Sequence, residues 1–253
     1  MNLRTPTDRT PIGTAIVAVM FGLLAACAPS TDIESRASDL APFRVEPLPR
    51  EERRVIAVPD FSVRAGGVRI GGRQADQIAE AEGFERELGR GVSDVFATEA
   101  FRSGRFIVTE RDQLDAILGE QDLATSGRVD PSSAAAAGRI LGAEVLVLGS
   151  VTEFGVERAG GGGVFFGVLG GRSETVTVRV SVDVRMVDAV TAEVLAIGVG
   201  TAHTSQSDVR IDLWNVVRSL GAGRSGTTIV DIAVRNAIRA AIDEAAATLP
   251  AAR

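Results

Sequence analysis

The second half of the chain carries a long, strict alternation of apolar and polar positions. The apolar positions are Val176, Val178, Val180, Val182, Val184 and Met186. The polar positions between them are Thr177, Arg179, Ser181, Asp183 and Arg185. Successive side chains of a strand point to opposite faces, so the pattern predicts a strand with one apolar and one polar face. A turn is predicted over 188–192, followed by a strand from Glu193 to about Ser207.

The first half alternates predicted strands and helices. Short apolar runs predict strands at 53–58, 106–108 and 143–150. Helical spacing and end signals predict helices at 84–102, 111–118 and 132–141. The glycine-rich segment 64–83 is predicted to be a loop. Strands that alternate with helices indicate an α/β layer.

The last fifty residues contain one ambiguous and one clear segment. Residues 208–220 fit a strand or a helix, because apolar positions recur there at both spacings. The final helix is clear: Thr228 can cap it, Asp231 stands at its third position, and Val230, Val234 and alanines share one face.

The N-terminus predicts export and lipid attachment. Arg4 and Arg9 precede an apolar stretch that ends in Leu24-Ala25-Ala26-Cys27, which resembles the bacterial lipobox. We therefore predict a signal peptide over 1–26 and covalent lipid on Cys27, the only cysteine. The alternative is a chance Ala-Ala-Cys at the end of an ordinary anchor. By resemblance to lipoprotein sorting, Ala28 favours the outer membrane, with the domain facing the periplasm.

A tether and one domain are expected after the lipid site. Prolines and scattered charge predict an extended tether over 27–50, and residues 51–250 are long enough for one domain. Composition restricts the chemistry: the chain has no lysine, a single histidine and a formal net charge of −6. These counts exclude a Walker lysine and clustered histidine metal sites, and they make nucleic acid a poor partner. We predict no catalytic residues, no metal site and no cofactor beyond the lipid.

Four stretches together resemble the CsgG family, the outer-membrane lipoprotein channel of curli secretion, whose relatives serve holdfast attachment. They are Arg105–Leu114, Ala143–Thr152, Val180–Leu195 and the capped helix from Thr227. The resemblance implies a periplasmic α/β domain with two extended antiparallel β-hairpins per subunit. It also implies a ring of about nine subunits whose hairpins close one transmembrane barrel. On this sequence the hairpins would fall near 152–186 and 194–224.

The resemblance also suggests roles for individual residues. Candidates for the channel constriction are Phe84, Gly83 and Ala79, although Phe84 fits equally well as the first core residue of its helix. Candidates for the membrane interface are Phe165, Phe166 and Trp214. Candidates for lipid-facing positions are Val156, Val164, Val168, Val176, Val178 and Val199.

The sequence is compatible with two functions. One is a channel that passes unfolded fibre or adhesin subunits by diffusion, without nucleotide hydrolysis, with accessory lipoproteins as further partners. The other is a non-channel periplasmic lipoprotein that docks on and regulates an envelope protein. Up to about Gly149 the layout also resembles penicillin-binding-protein activator lipoproteins and the amino-terminal domain of the TolB family. The two functions differ in whether the alternating strands meet lipid or pack against the protein's own helices.

Overall fold

A computed structural model describes most of the chain after residue 39. The described residues are 40–64, 67–70, 83–111, 113–130, 132–134, 138, 140–161, 164–165, 168–169, 173–207, 213–220, 228–250 and 252. The predicted signal peptide, Cys27 and Ala79 lie outside these ranges.

Short strands and one long helix precede the long strands of the second half. The strands are β1 (Arg54–Ala57), β2 (Ser62–Val63), β3 (Val68–Ile70), β4 (Phe106–Val108), β5 (Val145–Gly161), β6 (Val164–Phe165), β7 (Val168–Leu169), β8 (Ser173–Asp188) and β9 (Val194–Ser207). The helices are α1 (Phe84–Arg102), α2 (Leu114–Thr125), α3 (Leu213–Ser219) and α4 (Ile229–Thr248). β3 lies inside the segment predicted as a loop, so that prediction was wrong there.

The main sheet is mixed, which confirms the α/β class. Its strand order is β4-β1-β5-β8-β9, and β2 and β3 pair with β5 along the same edge as β1. β1 pairs in parallel with β4 and β5, whereas β8 is antiparallel to both β5 and β9. β5 is therefore the strand at which the parallel half of the sheet meets the antiparallel half.

The apolar face of β8 forms the centre of the core. Its six alternating apolar side chains are fully buried. They belong to one core with α4, which packs on β8 and β9, and with α1, which packs on β4 and β5. Three lipid-facing candidates, Val156, Val176 and Val178, are thus corrected to core positions within a single copy, because helices cover that face of the sheet.

The predicted second hairpin, 194–224, contains one strand and a helix in its described part. β9 ends at Ser207, and residues 213–219 form α3. The helix forms because Val216, Val217 and Leu220 lie on one helical face that is buried against α1. Leu220 approaches α1 so closely that a Cβ on Gly91 would lie 2.7 Å from the Leu220 Cβ. The first hairpin forms as expected, but most of it is the middle of the sheet.

The helix predictions succeeded where local signals agreed with packing. α1 has the predicted bounds, begins after Gly83 with φ +95° and is followed by Gly104 with φ +66°. Thr228 caps α4 by accepting a hydrogen bond from the Asp231 amide at 3.3 Å. The short helix predicted at 111–118 lies instead at Leu114–Thr125.

The helix predicted at 132–141 is absent from the residues described there. Asp130 accepts hydrogen bonds from both the amide and the hydroxyl of Ser132, each at 2.8 Å. These bonds close a local turn, which Ser132 and Ser133 occupy. Side-chain bonds of this kind compete with helix formation, and here the turn is retained.

The end of the predicted tether packs on the domain instead of extending away from it. We call residues 40–48 the strap. Its Phe43 and Val45 pack against the core. The amides of Arg44 and Val45 donate to Asp243 of α4 at 3.0 and 3.2 Å, and the amide of Leu48 donates to the Gly104 carbonyl at 3.0 Å. The tether prediction therefore fails for this part of 27–50.

Candidate functional site

The sheet face opposite α4 carries an exposed groove that we call the open face. The groove has a volume of about 540 Å³. Its lining residues come from β2, β5, β8, β9 and the residues on either side of β2: Asp60, Ser62, Arg64, Leu148, Gly149, Ser150, Thr152, Asp183, Val184, Arg185, Ile197 and Val199. Three of its large apolar side chains are substantially exposed: Leu148 at 42%, Ile197 at 54% and Val199 at 48%.

Strand register explains how charge and apolar surface alternate on the open face. Arg185 of β8 pairs with Leu148 on one side and Ile197 on the other. The next row on this face pairs Asp183 with Ser150 and Val199. Thr152 donates to the Asp183 carboxylate at 3.4 Å. The end of the face nearest the 188–192 turn is therefore apolar with a central guanidinium group.

The same face becomes polar toward the β5–β8 hairpin. Hydroxyl groups bridge β8 and β9 at Ser181–Thr201 (3.0 Å), Thr177–Ser205 (2.9 Å) and Thr175–Ser207 (3.2 Å). Arg179 forms an exposed ion pair with Glu157 at 3.5 Å. Toward the hairpin, β8 and β9 thus present a row of hydrogen-bonded hydroxyl groups on the open face, and the valines of β8 lie in the core on the opposite face.

A second exposed surface surrounds α2, and we call it the helix surface. It comprises Leu118, Leu123, Ile140 and Leu141, all of which are exposed. Two hydrogen bonds hold the 138–141 segment near α2: Arg111 donates to the Leu141 carbonyl at 2.9 Å, and the Gly138 amide donates to Gln121 at 3.1 Å. No residue of α2 is buried. Against the part of the chain that the structure describes, α2 therefore packs only partly, through the half-buried Leu114 and Ile117.

A buried carboxylate links α1 to α4. Glu99 is fully buried and accepts hydrogen bonds from Arg235 at 2.6 Å, Arg239 at 2.7 Å and Arg102 at 2.9 Å. Burial by itself would raise the pKa of Glu99, but the bonds and charges of Arg239 and Arg235 hold that pKa below its ordinary value. Arg239 also donates to the Ala41 carbonyl at 2.7 Å, which connects this cluster to the strap.

The sequence-predicted site residues fall in several different places. Phe84 is 3% exposed and packs edge-on against Phe154, with 6.3 Å between ring centroids. Gly83 lies at the N-terminus of α1 in the left-handed region, which glycine adopts without strain. Phe84 thus fits a role in the core, and Gly83 fits a role as the cap of α1. A channel constriction formed by Phe84, Gly83 and Ala79 stays a prediction, and the burial of Phe84 argues against it.

The interface anchors also stay predictions. The backbone of Phe165 lies in β6 and that of Trp214 in α3. Phe166 lies outside the described residues. Val199 is exposed on the open face, whereas Val164 and Val168 begin the two short strands of the hairpin tip. No short sequence motif marks either exposed surface, because Leu148 and Ile197 stand in apolar runs like those of buried strands.

The described residues show neither a metal cluster nor a membrane-crossing helix. No group of three or more His, Cys, Asp or Glu side chains in them could hold a metal ion. Among the same residues, no helix combines the length and apolar character needed to cross a membrane.

The fold and its surfaces define a class: a mixed α/β domain with its two long helices packed in one core and an exposed groove on the opposite sheet face. The chain belongs to the CsgG family. The model of that family, described as "Curli production assembly/transport component CsgG", matches residues 38–252. The family resemblance expected from the sequence is thereby confirmed.

Individual relatives are more distant. A putative lipoprotein of Neisseria meningitidis serogroup B, NMB1126/NMB1164, is 28% identical over 159 residues, which cover 62% of this chain and 65% of the relative. The match thus spans slightly less than two thirds of that protein.

Solved structures show more remote likenesses. Lipoprotein GNA1162 from Neisseria meningitidis is 15% identical with a TM-score of 0.30, covering 67% of this chain and 94% of that one. A PelC dodecamer from Paraburkholderia phytofirmans is 12% identical with a TM-score of 0.25, covering 76% and 93%.

Proposed function

We propose that the protein is a non-enzymatic envelope lipoprotein, anchored in the outer membrane by lipid on Cys27, whose periplasmic domain docks on other proteins and assembles into a homo-oligomer. It works without forming a channel. Family membership and the lipoprotein relative support the envelope location. The lipobox-like Leu24-Ala25-Ala26-Cys27 supports the anchor.

The burial of the alternating face of β8 is the observation that carries the non-channel function. A barrel wall needs an apolar face that meets lipid. Here that face is covered by α4, whose Val230, Val234, Ile238 and Ile242 are buried against the sheet. Removing the helix would expose these four side chains to water at about 1.5–3 kcal/mol each. The sum is comparable to the whole stability of an ordinary domain, about 5–15 kcal/mol.

The β5–β8 pairing extends only a short way beyond the core, and the side chains described there include the polar Glu157, Arg158 and Thr175. After Val156, the last buried residue of β5, the strand continues only through residues 157–161. β8 contributes residues 173–175 before its first buried valine. A transmembrane strand needs about 9–11 residues. Glu157 and Arg158 lie in this extension, where a lipid-facing strand would carry apolar side chains.

A secretion channel is the second candidate. The observation that favours it is the pairing of β5 with β8, which continues to Gly161 and Ser173, beyond the helix-covered part of the sheet. The tip that follows contains Val164 and Phe165 in β6. In this function about nine copies would close a barrel, unfolded polypeptide would pass through it, and accessory lipoproteins would assist.

Conductance of the purified protein distinguishes the two functions. Acylated full-length protein, extracted from membranes in mild detergent, is added to a planar bilayer. We expect no discrete conductance steps from the wild type or from Phe84→Ala, because the Phe84 ring belongs to the core. Stable steps from the wild type that increase in Phe84→Ala would support a channel with a Phe84 constriction and overturn the docking function.

A further inference from the structure

We propose that the protein binds a neutral saccharide in a second groove, at the carboxyl ends of β1 and β4, which we call the polar groove. Its volume is about 380 Å³, which lies in the usual range of small-molecule sites. The proposal goes beyond docking on other proteins. It follows from four properties of the polar groove: its place in the sheet, its hydrogen-bond acceptors, its balance of charge and the exposed aromatic ring beside it.

The first property is the place of the polar groove in the sheet. β1 lies between β4 and β5 and is parallel to both. The chain passes from β1 to β4 on one side and then to β5 on the other, so the order of the parallel strands reverses at β1. Val58, which follows β1, and Thr109, which follows β4, line the groove. Ligands of open α/β sheets bind outside the carboxyl ends of the strands at such a reversal.

The second property is a pair of hydroxyl oxygens that are fixed as acceptors. Ser93 of α1 is 3% exposed, and its hydroxyl donates to the Arg90 carbonyl at 2.7 Å. The Thr109 hydroxyl donates to the Ile56 carbonyl at 3.0 Å. Each hydroxyl has thus used its single hydrogen within the protein, and its oxygen retains lone pairs. Ser93 and Thr109 both line the groove, so they present acceptors in fixed positions to a ligand that carries O–H or N–H groups.

The third property is the balance of charge. The charged side chains among the described lining residues are two arginines, Arg90 and Arg111, and two carboxylates, Asp94 and Glu110. An anionic ligand would meet both carboxylates and a cationic ligand both guanidinium groups, so the balance favours a neutral ligand. Guanidinium groups donate hydrogen bonds and carboxylates accept them. A ligand that donates and accepts at closely spaced positions satisfies both kinds of group, and neighbouring hydroxyls of a sugar ring have this property.

Two of these charged side chains are held in place by the protein itself. Arg111 donates to the Leu141 carbonyl at 2.9 Å, which leaves further N–H groups of its guanidinium to donate elsewhere. Glu110 accepts a hydrogen bond from the Gln113 amide at 3.2 Å. A side chain that is already oriented loses less conformational freedom when a ligand binds. The polar groove is therefore partly preorganised.

The fourth property is an exposed aromatic ring next to the polar groove. Phe101 of α1 is 71% exposed. Residues three and four apart on a helix are neighbours, so Phe101 lies beside Thr98 and Ala97, which line the groove. The face of an aromatic ring carries partial negative charge. It attracts the weakly positive C–H groups on the apolar face of a sugar ring, so Phe101 can stack on a saccharide whose hydroxyls bind in the groove.

Saturation-transfer NMR on the acylated full-length protein tests the proposal, in a mild detergent without a sugar headgroup. The probes are chitotriose, which carries the N-acetyl groups of cell-wall glycans, and maltotriose, which does not. Citrate is the anionic comparison. Each probe is titrated to about 20 mM, well above a dissociation constant of about 1 mM. The variants are Phe101→Ala, Phe101→Tyr and Ser93→Ala, and circular dichroism checks that each is folded. Val190→Ala is the control, because Val190 is 93% exposed and lines neither groove.

We expect saturable binding of at least one trisaccharide, with the strongest saturation at the ring C–H groups that stack on Phe101. Phe101→Ala should weaken binding about three- to tenfold through loss of stacking. Ser93→Ala should weaken it by a similar factor through loss of one acceptor. Phe101→Tyr and Val190→Ala should bind like the wild type. The proposal is overturned if neither trisaccharide binds, if citrate binds more tightly than both, or if Phe101→Ala retains the wild-type affinity.

Discussion

Gly200 of β9 lies directly against the backbone of Ala237 in α4, so closely that a methyl group at Gly200 would overlap the Ala237 carbonyl oxygen. Gly198, two residues earlier, approaches Ala241 and Ala245 in the same way. The glycines of β9 and the alanines of α4 thus bring helix and sheet into near-backbone contact. This contact keeps α4 on the face of the sheet that a membrane strand would need to expose.

We expect Gly200→Ala to destabilise the domain by about 2–3 kcal/mol, because the added methyl group forces α4 away from β9. The melting temperature should fall by roughly 5–10 °C for a domain of this size. Gly160→Ala is the matched control, since a Cβ on that strand residue would meet no atom of the described residues within 4 Å. Equal melting temperatures for the two variants would contradict the close packing of β9 and α4.

The Glu99 cluster should make the domain sensitive to acid. The pKa of Glu99 is lowered in the folded state, so its stabilising effect is complete above the ordinary glutamate pKa of about 4.3. That effect is lost as pH falls from there through the lowered folded-state pKa. Glu99→Gln should cost about 3–5 kcal/mol at neutral pH, because Arg239 loses its carboxylate partner and Arg235 keeps only the ion pair with Asp231 among those described.

Urea unfolding between pH 3 and 7 measures both effects. The free energy of unfolding should fall below pH 4.3 more steeply in the wild type than in Glu99→Gln. Arg102→Ala serves as a control, because its side chain is 54% exposed and should contribute less than about 1 kcal/mol. A Glu99→Gln protein with the wild-type acid profile would refute the assignment.

The attachment of the strap to α4 can be tested by proteolysis. Asp243→Ala removes the acceptor of the Arg44 and Val45 amides, which should destabilise the strap by about 1–3 kcal/mol. Cleavage by trypsin after Arg44 should accelerate accordingly. Asp243→Asn retains a carbonyl oxygen at the same place and should be cleaved at an intermediate rate. Wild-type cleavage rates in both variants would show that these bonds do not hold the strap.

Lipid attachment is tested at Cys27. We expect Cys27→Ser to be released from the outer-membrane fraction and to lose the added mass of the acyl chains. Ala28→Asp keeps the acylated cysteine but should shift the protein from the outer to the inner membrane, by resemblance to lipoprotein sorting. Unchanged fractionation of Cys27→Ser would exclude anchoring through this residue.

Sequence patterns predicted the helices and strands of this fold better than they predicted what covers each face of them. The bounds of α1 and the Thr228 cap of α4 were predictable, because they depend on spacing and short-range hydrogen bonds. The partner of the apolar face of β8 was not, since alternation shows that one face is apolar but does not show whether lipid or helix covers it. The close match between Gly198, Gly200 and the alanines of α4 is the signal that favours a helix.

The open face and the helix surface could not be predicted for a related reason. Leu148 and Ile197 resemble buried strand residues in the sequence, and only the strand order places them on the face without α4. Similarly, Leu118 has the spacing of a core residue. An exposed apolar residue and a buried one have the same local pattern, so the distinction depends on the three-dimensional arrangement of all the elements.

The strap determines where mechanical load enters the domain. A pull on the N-terminal segment reaches the fold first at Ala41, which is held by Asn236 and Arg239, and next at Arg44 and Val45, which are held by Asp243. The force is thereby delivered to the C-terminal helix and, through Arg239, to Glu99 of α1. Because these bonds lie on α4 and α1 and not on the open face, we expect a pull on the N-terminal segment to load the two helices before it loads the strands that line the groove.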